Sequence, residues 1–100
     1  MLNYSLTASK NLKKNLYSFN PGEFICFSAN FTAIPPKFRL RILDQKENTR
    51  FNHYNSGNDI GIFIHWRIPN SLRKDHLGIW QIVIDTDNDQ FRLFFNVKAE

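Results

Sequence analysis

Apolar residues recur at every second position through much of this chain, the spacing that puts one face of a β-strand in a core and the other in solvent. The pattern is plainest in residues 78–97, GIWQIVIDTDNDQFRLFFNV, where two alternating runs flank an acidic turn. It predicts a hairpin with Trp80, Ile82 and Ile84 inward on one strand and Phe91, Leu93, Phe95 and Val97 inward on the next. Residues 37–43 alternate as cleanly: Phe38, Leu40 and Ile42 face the core, and Lys37, Arg39 and Arg41 face out. Residues 60–68 place Ile60, Ile62, Ile64, Trp66 and Ile68 inward, with Gly61, Phe63, His65 and Arg67 outward, until Pro69 ends the run. In residues 23–31, Ile25, Phe27, Ala29 and Phe31 share one side. Phe24 and Cys26 make the other side apolar as well, which predicts a bulge or a covered face.

Punctuation separates these runs. Phe19-Asn20-Pro21-Gly22-Glu23 is a turn, because Pro presets its own φ and Gly takes dihedrals closed to other residues. Pro35-Pro36 breaks the chain before the basic-faced strand. Residues 44–59 are polar, with Phe51 and Tyr54 anchoring one short strand, and residues 70–77 form a polar basic loop. The first twenty residues carry two signals: Leu2, Tyr4 and Leu6 alternate, whereas Leu12 and Leu16 lie four apart as on a short helix. Two short edge segments joined by a polar, Lys-rich link fit best. About seven strands at turn spacings near ten residues, with no convincing helix, predict an all-β fold, an immunoglobulin-like two-sheet antiparallel sandwich. Trp66 and Trp80, both on inward registers, are expected to meet between the sheets.

Composition narrows the class. At 100 residues the chain is expected to form a single domain, with residues 1–15 either an edge strand or a loosely attached arm. A hydrophobic fraction of 42%, ten Phe among it, excludes disorder from low hydrophobicity. No apolar stretch is long enough to span a membrane. The lone Cys26 forms no intramolecular disulfide, and residues 2–4 do not begin a signal peptide, so the compartment stays open. The net charge is +4, with the basic excess before Asp44. Such a balance suits a polyanion or an anionic surface as well as plain solubility.

The order of punctuation carries a resemblance. Phe19-x-Pro21-Gly22-Glu23 precedes the first core strand and Ile42-Leu43-Asp44 ends the next. Gly61-x-Phe63 leads to Trp66-x-Ile68-Pro69, followed by Gly78-Ile79-Trp80-x-Ile82 and Phe95-x-Val97. This is similar to the macroglobulin-type (MG2-like) immunoglobulin-like sandwiches of alpha-2-macroglobulins, complement proteins and many prokaryotic surface proteins. In that family the turn usually reads Tyr-x-Pro-Gly-Glu and the penultimate strand begins Gly-Thr-Trp or Gly-Thr-Tyr. Here Phe19 and Ile79 depart from it. The resemblance covers about Tyr17 to Val97. It implies a structural or protein-interaction module without catalytic residues, an extracellular or surface setting, and no cofactor.

The residues themselves offer little candidate chemistry. Asp85, Asp87 and Asp89 alternate as at the start of a calcium loop, but the sixth position is Gln90 and the twelfth Asn96, so an acidic turn is the better reading. His53, His65 and His76 have no zinc-ligand spacing, no glycine-rich phosphate loop occurs, and Cys26 and the serines lack a nucleophile's local frame. The outward faces remain. If residues 37–43 pair with 78–84, then Lys37, Arg39 and Arg41 share a face with Gln81, Val83, Arg92 and Phe94. Phe63, His65 and Arg67 form a second outward set, either a docking patch or a face covered by the N-terminal segment. Both are candidate binding surfaces for a protein partner or for self-association; the alternative is a nucleic acid or other polyanion held by the basic strand face.

Overall fold

The computed structural model of the chain describes residues 2–8, 18–31, 37–55, 61–86 and 90–98. Among the described residues, eight strands form two sheets. They are β1 (Leu2–Ala8), β2 (Ser18–Phe19), β3 (Phe24–Phe31), β4 (Phe38–Leu43), β5 (Thr49–Asn55), β6 (Gly61–Arg67), β7 (Gly78–Thr86) and β8 (Gln90–Val97). The smaller sheet has the order β1-β3-β6 and the larger β2-β8-β7-β4-β5. All pairings are antiparallel except that of β2 with β8. The fold is an all-β sandwich, and the two short edge segments read from the first twenty residues are β1 and β2.

Inward positions follow the alternation. Ile25, Phe27 and Ala29 of β3, Phe38, Leu40 and Ile42 of β4, and Trp80, Ile82 and Ile84 of β7 are all buried. An aromatic seam crosses between the sheets: Phe51 lies 6.3 Å from Trp66, Trp66 6.4 Å from Trp80, Trp80 6.3 Å from Phe95, and Phe95 meets Phe19 edge-on at 5.5 Å. Offset and edge-to-face contacts at these separations suit the ring quadrupoles. The buried indole N–H of Trp80 donates to the carbonyl of His76 at 2.7 Å, on a single turn of 3-10 helix at Lys74–His76. That turn lies within the stretch expected to be loop.

Two turns fix the ends of this core. Gly22 takes φ +87°, and the backbone of Gly22 and Glu23 bonds Ile68 at 2.9 Å in both directions, stitching the Pro-Gly turn to the end of β6. Between β4 and β5, the buried Asp44 accepts from the backbone N–H of Lys46 and Asn48, from the Asn48 amide and from Arg50 Nε. A carboxylate satisfied on both oxygens is how this buried charge is tolerated. The Arg50 guanidinium then lies 5.7 Å from the centre of the Trp80 ring. No helix among the described residues is long and apolar enough to cross a membrane.

Candidate interaction surface

The pairing of β4 with β7 and of β7 with β8 lays the outward residues of the larger sheet in rows. Tyr54, Arg39, Asp85 and Gln90 form one; Asn52, Arg41, Val83 and Arg92 the next; then Leu43, Gln81 and Phe94; then Ile79 beside Asn96. Lys37, exposed, stands just before β4. Thus Arg39, Arg41, Arg92 and Phe94 do share a face. Phe63, His65 and Arg67 lie on β6, in the other sheet. The two sets of candidate residues therefore occupy opposite outer surfaces of the sandwich.

Asp85 organises the basic face. Its Oδ2 accepts from Arg41 Nη2 at 2.9 Å and lies 3.8 Å from Arg39 Nη2, while its Oδ1 accepts from Gln90 Nε2 at 2.6 Å. Gln90 in turn accepts from Arg92 Nε at 2.7 Å, and Arg92 Nη1 donates to Gln81 Oε1. Burial alone would raise the Asp85 pKa, but the bonds from Gln90 and Arg41 and the charges of Arg41 and Arg39 hold it below the ordinary carboxylate range. One acidic residue and two glutamines thereby tie Arg41 and Arg92 to the sheet.

This corrects part of the sequence reading. Gln81 and Val83 face outward in register, yet both are buried, Val83 completely. Val83 lies between Arg41 and Arg92, whose alkyl stems suit covering an apolar neighbour while the charged heads stay in water. What remains accessible includes Lys37, Arg39 and Arg92 and three large apolar side chains: Tyr54 at 61%, Ile79 at 56% and Phe94 at 53% exposure. Tyr54 and Ile79 were missed. The parity that turned Trp80 inward already turned Ile79 outward, whereas Tyr54 could be placed only from its pairing with Arg39. Lys37, Phe38, Arg39, Tyr54, Asp85 and Thr86 line an open depression of about 240 Å³.

On the opposite surface, Phe63 is 71% exposed. His65 stacks on Phe24 at 4.6 Å, and the Arg67 guanidinium lies 5.6 Å from the centre of the same ring. Arg67 also donates to the carbonyl of Gly22 at 3.0 Å and to Asn70 Oδ1 at 3.3 Å. Phe24, the residue that made this side of β3 apolar, is the base of that stack. Cys26 is buried, and burial pushes its thiol pKa up, away from thiolate chemistry. Asp87 and Asp89 of the acidic turn lie outside the described residues. Among the described residues no three His, Cys, Asp or Glu side chains gather as metal ligands would.

No protein-family model matches the sequence, and a search of curated proteins finds no match. Among solved structures, the chain superposes on Escherichia coli alpha-2-macroglobulin activated by porcine elastase, with a TM-score of 0.67 over 97% of its length. Sequence identity is 12%, and the match spans 8% of that much longer protein. The likeness agrees with the one read from the turn and strand punctuation, and it is a likeness of fold. The chain has the sandwich fold of a macroglobulin-like domain.

Proposed function

We propose that this chain is a non-catalytic protein-interaction module, part of a larger surface or scaffold assembly, and that it docks an acidic partner on the outer face of the larger sheet. The observation that carries the reading is the exposure of Phe94 and Ile79 on paired strands β7 and β8, beside a face that holds Lys37, Arg39, Arg41 and Arg92 against the single described carboxylate of Asp85. Apolar anchors on a rigid sheet lose little freedom on binding, and surrounding arginines select acidic partners by electrostatic complementarity. A macroglobulin-like fold supports a structural or docking role, since such folds present surfaces within longer chains.

Selection of binders from a random peptide library tests it. Enriched sequences are expected to combine acidic residues with apolar ones, and Phe94→Ser is expected to weaken them about tenfold or more, as loss of a central anchor does. Enrichment without acidic bias, or binding indifferent to Phe94→Ser, would count against the reading.

A second reading has one observation in its favour. Lys37, Arg39 and Tyr54 line the same depression, and two cations beside an exposed ring suit a single-stranded nucleic acid. Retention of an oligonucleotide that falls steeply with salt, and loses slope on Arg39→Ala, would favour it over the acidic protein partner.

A further inference from the structure

The order β1-β3-β6 leaves one side of β6 without a neighbouring strand among the described residues. Natural edge strands are normally blunted by Lys, Pro, bulges or very short length. β6, GIFIHWR, has none of these, and its pairing with β3 runs in unbroken register from Gly61 to Arg67. Its two polar side chains do not guard the edge either. His65 stacks on Phe24 of β3, and Arg67 folds over the same ring to reach Gly22 and Asn70. Both lean inward across the sheet, leaving Phe63 standing out of it.

The ends of the other sheet are built differently. β2 has only two residues, and β5 is bulged where it pairs with Ile42 and Leu43 and exposes Asn52, His53 and Tyr54. These are the usual protections.

We infer that β6 is a self-pairing edge: a second copy of this chain adds its own β6 antiparallel, fusing the two smaller sheets into one. The strand is complementary to itself about Ile64. With a two-fold axis there, Phe63 faces the partner's His65, Ile62 faces the partner's Trp66, and Gly61 faces the partner's Arg67. Apolar residues meet on the core side, aromatic rings meet on the outer side, and no like charges oppose each other. Because the same edge is used by both copies, the contact closes on itself and yields a dimer, with no open growth. This inference is independent of the acidic-partner face, which lies on the other sheet.

Sedimentation from about 10 μM to about 1 mM tests it, together with amide hydrogen exchange. The expected result is a mass rising from 11.8 kDa toward twice that value, with exchange in β6 slowing as the dimer forms. Phe63→Lys should hold the protein monomeric over the same range with an unchanged far-ultraviolet spectrum, and the milder Phe63→Ser should shift the midpoint to higher concentration. Phe94→Lys, on the opposite surface, should dimerise like the parent. A parent chain that stays monomeric at the upper concentration, growth beyond a dimer, or dimerisation untouched by both Phe63 changes overturns the inference.

Discussion

At the scale of single residues, two aspartates do the most. Asp44 is fully enclosed and takes hydrogen bonds from two backbone N–H groups, the Asn48 amide and Arg50. Burial alone would raise its pKa, yet these bonds outweigh that and leave it lowered, as they do for Asp85. The unfolded chain therefore takes up protons first as the solution is acidified. The stability these groups contribute is complete above the unfolded value of about 3.9 and is lost as pH falls through the lower folded values. Asp44→Asn, which keeps the shape and removes the charge, is expected to cost about 2 kcal/mol at pH 7. It should also flatten the fall in stability below about pH 4, read by urea unfolding at pH 7 and in acid. A variant as acid-sensitive as the parent would show that Asp44 contributes nothing to that fall. Neither aspartate's role was legible beforehand: Asp44 appears in the sequence only as the end of a strand and Asp85 as part of an acidic turn. Their partners, Arg50 and Arg41, come to them through pairing that alternation does not specify.

At the scale of elements, the turn between β4 and β5 is fastened to the start of β7. Lys46 Nζ pairs with Asp75 Oδ2 at 2.7 Å, Gln45 lies against Gly78, and Arg50 covers Trp80. Gly78 takes φ +132°, a conformation strained for any other residue, and an added methyl group would collide with the Gln45 carboxamide. Gly78→Ala is expected to lower stability by about 1 to 3 kcal/mol, measured by thermal or denaturant melts. Since the carboxamide is movable and the φ is not, adding Gln45→Ala should recover only a minor part of the loss. Full recovery would place the cost in the collision alone. The strands themselves were legible, because burial in a sandwich rewards strict alternation: β4, β7 and β8 keep the inward sets read from the sequence, as β6 does for Ile62, Ile64 and Trp66, while Ile60 lies outside the described residues. What alternation misjudged was solvent access on the outward side. Val83 and Gln81 have the parity of surface residues, but β7 is a central strand with long arginines and Phe94 beside it, and both are buried.

At the scale of the whole molecule, the sandwich presents two unlike surfaces. One carries Lys37, Arg39, Arg41 and Arg92 with Phe94 and Ile79; the other carries the exposed Phe63 on the same face as the stacked Phe24, His65 and Arg67. Lys37, Arg39, Arg41, Arg92, Phe94, Phe63, His65 and Arg67 were legible in the sequence, since outward Arg and Phe stand out against alternating cores; Ile79 and the stacking role of Phe24 were not. Nor was the separation of the two faces, which depends on β6 joining β3 while β4 joins β7. In the proposed reading, one outer face meets an acidic partner and the edge of the other meets a second copy. The proposed acidic partner meets the larger sheet. The most direct measurement is backbone-amide NMR of the chain titrated with a library-selected acidic peptide. Shifts are predicted to concentrate at Arg39, Ile79, Arg92 and Phe94, and to need about tenfold more peptide or beyond for Phe94→Ser. Shifts centred on Phe24, Phe63 and His65, or a titration unchanged by Phe94→Ser, would contradict it.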